Sequence, residues 1–153
     1  MLEFSDQERA LLRVLQGDAG LSLAELAEAA GMASSTVWRK VQEFEKLGLI
    51  RGRVALLDPA KADARLCVFA TVRLSDHAEE AIAGFSAVIA AHPEIMEAHA
   101  ISGSADYILK IRCADVESYE RFMTQSLLRS PLVKSVVSSF SLKELKYTTA
   151  LPL

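Results

Sequence analysis

The apolar pattern changes character once along this chain, and that change limits what it can fold into. Up to residue 57 the apolar residues recur at helical spacing in three short stretches. Beyond residue 65, strand-like runs alternate with helical ones. Ser5 with Glu8 reads as a capping box, followed by a stripe of Ala10, Leu11, Val14 and Leu15 that Gly17 and Gly20 end. Ser22 with Glu25 is a second capping box, followed by Leu23, Leu26, Ala27 and Ala30. Gly31 then predicts a left-handed helix stop. A third helix is expected from Ser34, with Val37, Val41, Phe44 and Leu47 inward and Gly48 closing it. Residues 49–57 predict a short strand pair, or wing, bent at Gly52.

The second half reads as strand 66–74, a helix capped by Asp76 with Ala78, Ile82, Phe85 and Ile89 inward, and strand 95–102. A turn at 103–105 leads to strand 106–112. A helix capped by Asp115, with Tyr119, Phe122 and Met123 inward, and strand 133–142 complete it. This order is β-α-β-β-α-β, the ferredoxin-like arrangement. The expected fold class is therefore α+β: an N-terminal winged helix-turn-helix, residues 1–57, a hinge, 58–65, and a ferredoxin-like domain, 66–153. A length of 153 residues accommodates two such small domains. No apolar run reaches the roughly 20 residues of a membrane span. The residues from Met1 to Asp6 lack the basic-then-apolar pattern of a signal peptide. A cytoplasmic protein is expected. Cys67 and Cys113 lie far apart in apolar runs and read as buried thiols, with no metal spacing.

Net charge is −3, but the charge is uneven. Between Trp38 and Arg53 the cations are Arg39, Lys40, Lys46, Arg51 and Arg53, against Glu43 and Glu45. A local basic face suffices for phosphate contact on an acidic protein. Two short helices around a Gly turn fit a helix-turn-helix, whose second helix would present its first residues to base edges. Ser34, Ser35, Thr36, Trp38, Arg39 and Lys40 are the candidate DNA contacts on that helix. Arg51 and Arg53 are placed for backbone phosphates, which fix register without reading sequence. The alternative is a three-helix unit with a merely solvated basic face. An outward Trp38 would need a partner surface, whereas a buried one would be structural.

The residues Leu23-Ala24-Glu25-Leu26-Ala27, Gly31, Ser35 to Val41 and Leu47 to Gly52 resemble the helix-turn-helix of the leucine-responsive/asparagine-responsive (feast/famine) transcription regulators. Val54 to Pro59 resembles their hinge, and Ser102 to Lys110 their Gly-x-x-Asp-Tyr turn. The resemblance spans nearly the whole chain. It implies a sequence-specific regulator that binds double-stranded DNA and responds to an amino acid or related small molecule. It also implies a homodimer that assembles further, commonly to an octamer. Its effector site would lie between protomers near the turn, drawing on Ser102, Gly103, Ser104, Asp106, Tyr107, Ser138 and Ser139. Gly103 would let backbone approach a ligand. Asp106 would accept from an ammonium group or cap the turn. Ser138 and Ser139 would bond the ligand or serve as ordinary strand polar residues. The chain departs from the family where Ala33 and Ser34 stand for Ser then Pro, and where Gln42 and Glu43 replace basic residues. Ser104 and Ala105 replace the acidic and aromatic residues often found inside the turn. Apolar groups on both faces of strand 66–74 predict a partner sheet, hence a dimer.

Two other classes compete. Relatives of this fold include sirohaem decarboxylases, whose chemistry would need His or Arg around an anionic pocket; His77, His92 and His99 are the available histidines. A ligand-binding or assembly module without DNA contact is the second. No nucleophile triad, phosphate loop or metal-ligand spacing is present, so no catalytic residue, metal or cofactor is expected.

Overall fold

The computed structural model describes residues 3–153, so Met1 and Leu2 of the expected leaderless start lie outside the described residues. The chain divides into two compact units: the chain up to Leu56 together with Leu145–Leu153, and Leu57–Glu144. The segment 145–153 thus groups with the N-terminal unit, whereas the sequence reading placed it in the second domain.

The N-terminal unit holds α1 (Asp6–Gly17), α2 (Leu23–Ala30) and α3 (Ser34–Lys46). Both expected capping boxes form, Ser5 with Glu8 and Ser22 with Glu25. Each satisfies two helix-end groups locally, so α1 and α2 start where the sequence says. Gly31 stops α2 at φ 62°. A Cβ there would meet nothing within 4 Å, so only backbone strain opposes substitution. Gly31→Ala is expected to cost about 1–2 kcal/mol and to lower the thermal midpoint of this unit by several degrees, read by circular dichroism.

Leu11, Leu12, Leu26, Ala27, Ala30, Val37, Val41 and Phe44 form the buried cluster of this unit. Leu47 was expected to join it. It sits instead at the C-cap of α3 and is 56% exposed. The tail is gripped by α1. Gln16 accepts from the Leu151 amide at 2.6 Å and donates to the Leu151 carbonyl at 3.3 Å, as a neighbouring strand would. Arg13 Nε donates to the Leu153 carbonyl at 2.7 Å. No strand forms over residues 49–57, so the expected wing has no ladder in this unit. Val54, Leu56 and Leu57 are exposed there.

The second unit runs β1 (Leu66–Leu74), α4 (Glu79–Ala91), β2 (Ile95–Ala100), β3 (Tyr107–Cys113), α5 (Val116–Phe122) with a π-helical turn at Met123–Leu127, and β4 (Val133–Phe140). The sheet is antiparallel in the order β2-β3-β1-β4. This is the expected ferredoxin-like arrangement. Val68, Ala70, Val72 and Leu74 of β1 pack with Phe85, Leu109, Ile111, Tyr119, Phe122 and Leu127. Asp115 caps α5 by accepting from Ser118 N at 2.7 Å. Asp76 does not cap α4. The N-cap is Ala78, without a side-chain bond, and Asp76 accepts from His77 N and Ala78 N in the turn before it. Ala78 and Ile82 are accordingly exposed, while Phe85 is fully buried. Cys67 and Cys113 are free and buried, and burial pushes the Cys113 thiol up.

The opposite sheet face is fixed by register. Phe69 pairs with Lys110 and Ser139, and Thr71 with Ile108 and Val137. These residues alternate with the buried set, so they share the uncovered face. Val137 is 64% and Phe69 40% exposed there.

Candidate DNA interface and sensing turn

α3 buries Val37, Val41 and Phe44. Helical spacing then leaves Ser34, Ser35, Trp38 and Arg39 exposed, with Thr36 half-buried. Trp38 is 60% exposed, which resolves the alternatives for this residue in favour of an outward ring. Ala33 provides no side-chain cap, so the amides opening α3 lack the oxygen that a Ser would offer. Arg39 lies 3.9 Å from Glu43, a loose contact. Arg53 pairs with Glu45 at 2.8 Å. Arg51 is exposed and makes no ion pair among the described residues.

Lys40 behaves differently from the other candidate contacts. Its Nζ lies 2.7 Å from Glu8 Oε1 of α1 and 3.0 Å from Glu43 Oε2, and its side chain is only 19% exposed. Glu8 Oε2 meanwhile accepts from Ser5 N at 2.8 Å. The Lys40 ammonium, and after it the Ser5 backbone amide, draw the Glu8 carboxyl from the ordinary 4.5 down to about 2. Glu8, and after it Glu43, raise the Lys40 ammonium. A carboxyl lowered by folding adds stability above its unfolded value and loses it as pH falls through the folded one. The melting difference between the wild type and Glu8→Gln is therefore expected to hold steady at neutral pH. It should close as pH drops from about 4.5 to about 2.

In the second unit the turn between β2 and β3 is closed by Ile101 N donating to Asp106 O at 2.9 Å. It is anchored to β1 by Asp106 N donating to Val72 O at 2.9 Å. Gly103 sits at φ 123°, a conformation that side chains rarely adopt. Ser102, Gly103 and Ser104 are exposed at the tip. Asp106 is committed within the chain: Oδ2 accepts from Leu74 N at 2.7 Å and Oδ1 meets His77 Nε2 at 2.9 Å. His77 first, then the Leu74 amide, hold its carboxyl below the usual range. Asp106 therefore acts as the turn's brace. Tyr107 packs on Phe85 with ring centroids 4.9 Å apart.

Ser138 and Ser139 do not share a surface. Ser138 pairs with Ala70 on the helix side and its Oγ is 2.6 Å from the Tyr119 hydroxyl, whereas Ser139 lies on the uncovered face. Burial raises the Tyr119 phenol against that bond. The structure thus brings 102–107 together as one turn but sends the two serines to opposite sides of the sheet. The histidines are dispersed. His77 meets Asp106, His92 lies 3.9 Å from Glu94, and His99 lies 3.6 Å from Glu97. Sequence reasoning missed His77 as the brace's partner and Glu8 as that of Lys40. Glu8 was visible as a capping residue, but nothing local marks its second bond.

Comparison with known proteins agrees with this geometry. Residues 67–151 match the family model described as the Lrp/AsnC ligand binding domain, and residues 4–51 match winged helix-turn-helix DNA-binding. The DNA-binding transcriptional activator DecR of Escherichia coli K12 is 34% identical over 146 residues, covering 95% of this chain and 96% of that protein. A crystal structure of an AsnC-family transcriptional regulator from Agrobacterium tumefaciens superposes with TM-score 0.92 at 36% identity, covering 97% of both chains. A transcriptional regulator from Neisseria meningitidis, solved as its complex with L-Met, superposes with TM-score 0.94 at 31% identity, covering 98% of this chain and 97% of that one. None of the described helices is long and apolar enough to cross a membrane. With an exposed polar face on α3 of the three-helix unit, a braced ferredoxin-like domain and relatives matched over at least 95% of its length, the chain belongs to the Lrp/AsnC family of DNA-binding transcription regulators.

Proposed function

We propose that the chain acts in the cytoplasm as a homodimer that reads two half-sites with paired α3 helices, and that an amino acid controls its affinity. The observation that carries this is the open face of α3. Ser34, Ser35, Trp38 and Arg39 stand exposed at its N-terminal half, where a recognition helix meets base edges. Ser and Thr hydroxyls supply adaptable donors, Arg39 suits a bidentate contact with guanine, and Arg51 and Arg53 suit phosphates. The uncovered sheet face, with Phe69, Ile108 and Val137 on it, supports pairing of two copies sheet to sheet. Dimers then assemble further, to an octamer on the family pattern.

The effector enters at the exposed tip Ser102-Gly103-Ser104, whose backbone is open to a ligand. Asp106 holds the shape of that turn and Tyr107 anchors it to the core. Ser139 is available from the uncovered face, while Ser138 is spent on Tyr119. The Neisseria relative carries L-Met, which supports an amino acid as the class of ligand.

The test is a gel-shift titration on DNA from upstream of the protein's own gene, with competitor DNA, with and without pooled amino acids. Saturable binding whose midpoint moves at least fivefold with the pool is expected, since allosteric coupling is commonly about 1–3 kcal/mol. One midpoint and one particle size with every amino acid would overturn the sensing role. No saturable binding to that DNA or to duplexes selected from random sequence would overturn the DNA-binding role.

A further inference from the structure

Helix periodicity puts Lys40 among the outward residues of α3, next to Arg39. The structure turns it back. Its ammonium is shared between Glu8 of α1 and Glu43 of α3 at 2.7 and 3.0 Å, with the side chain mostly covered. Glu8 is itself fixed, because its other oxygen takes the Ser5 amide and its own amide donates to Ser5 Oγ. It therefore offers Lys40 a carboxylate with little freedom left to lose. Two further ties run from the same end of α1. Gln7 Nε2 donates to the carbonyl of Gly31 at 3.1 Å, in the turn between α2 and α3. Phe4 meets Phe44 of α3 edge-on, with centroids 6.1 Å apart. The start of α1 thus holds both the entry to α3 and its flank.

We infer that Glu8 and Lys40 are positioning residues for DNA recognition: their ion pair sets how α3 lies against α1, and Lys40 makes no phosphate contact. The inference rests on the DNA-binding reading above and goes further, by moving one of the candidate DNA contacts of α3 into the frame. Geometry decides between the two roles. To reach a phosphate Lys40 would have to leave two carboxylates, one of them already held by a cap. Arg39, Arg51 and Arg53 can exchange looser or exposed contacts at little cost.

The test uses the full-length chain and a duplex it selects from random sequence, with a scrambled duplex as the non-specific reference. Binding is measured across a salt series. Each phosphate contact adds about 0.9 to the slope of log affinity against log salt. Lys40→Met keeps the alkyl stem and removes the charge. It is expected to weaken specific binding about threefold to tenfold, leave the salt slope unchanged and lower the ratio of specific to non-specific affinity. Glu8→Gln keeps an acceptor for the Ser5 amide, so the cap survives, and it is expected to do the same in milder form. A slope that falls in Lys40→Met, by about 0.9 for each copy bound, would overturn the inference and make Lys40 a phosphate contact. Tighter binding with a steeper slope in Glu8→Gln would also overturn it, showing a phosphate-seeking lysine restrained by Glu8. If the wild type selects no duplex at all, the DNA-binding reading fails and takes the inference with it. If the wild type binds and only these slopes disagree, the inference fails alone.

Discussion

Val137→Glu is expected to convert the protein to monomers and to cut its affinity for a duplex carrying two half-sites by at least about a hundredfold, the low end of what linking two binding events contributes. Val137 lies midway along the edge strand β4, on the uncovered sheet face, opposite Thr71 and 64% exposed in the single chain. A carboxylate there is harmless to a lone sheet, because exposed substitutions away from special features rarely change stability by more than about 0.5 kcal/mol. Between two sheets packed face to face, the same carboxylate is buried without a partner, and its twin arrives from the other copy. Removing an ion from water costs several kcal/mol even after relaxation. The flanks of the face are already charged, with Lys110 paired to Glu97 and Arg112 to Glu144. Light scattering gives particle mass, and fluorescence anisotropy on one-site and two-site duplexes gives affinity. A monomer that retains one-site affinity and loses two-site affinity is the expected pair of results. A variant that stays dimeric with unchanged affinity would place the dimer contact elsewhere on the chain.

What the sequence made legible follows the range of the interactions concerned. The capping boxes, the left-handed Gly31, the Asp115 cap and the strand β1 depend on neighbours a few residues apart, and each formed as read. The ion pair of Lys40 was not legible because its partner, Glu8, sits on another helix. Period alone says that a side chain leaves the helix core, not that it turns back to a carboxylate on α1. An acidic residue before a helical run reads as its cap, and Asp76 stands in that position. The chain makes one more turn before α4 begins, and Asp76 holds that turn instead. The two serines of β4 were legible in principle, since adjacent strand residues always face opposite ways. Which of them would find Tyr119 depended on the packing of α5. The segment 49–57 is apolar enough for a strand, but a strand needs a ladder, and its own unit supplies none. The tail 145–153 lacks any period; its grip on α1 comes through backbone groups held by Gln16 and Arg13, which no side-chain pattern in the tail announces.

Arg39 and Arg51 are expected to fail in different ways when replaced by Ala. Arg39 projects from α3 one turn beyond Ser35, on the face shared with Trp38, and holds only a loose contact with Glu43. A bidentate contact to a guanine discriminates by about 1–3 kcal/mol. Two copies in a dimer make that about 2–6 kcal/mol, or roughly thirtyfold in affinity at the low end. Arg39→Ala is thus expected to lose specific binding by at least that factor and to relax preference at one base pair in each half-site, while scrambled DNA binds nearly as before. Arg51 lies beyond α3 in the unladdered segment and carries no ion pair among the described residues. It has no helix to aim it at a base edge, but nothing holds it from a phosphate. Arg51→Ala is expected to weaken specific and scrambled DNA alike and to lower the salt slope by about 0.9 per copy. Binding to a randomised half-site library, repeated across the salt series, separates the two results. A slope change with intact preference in Arg39→Ala would assign Arg39 to the backbone. The base reading would then pass to the hydroxyls of Ser34, Ser35 and Thr36 and to the ring of Trp38, the remaining groups that α3 presents at that end.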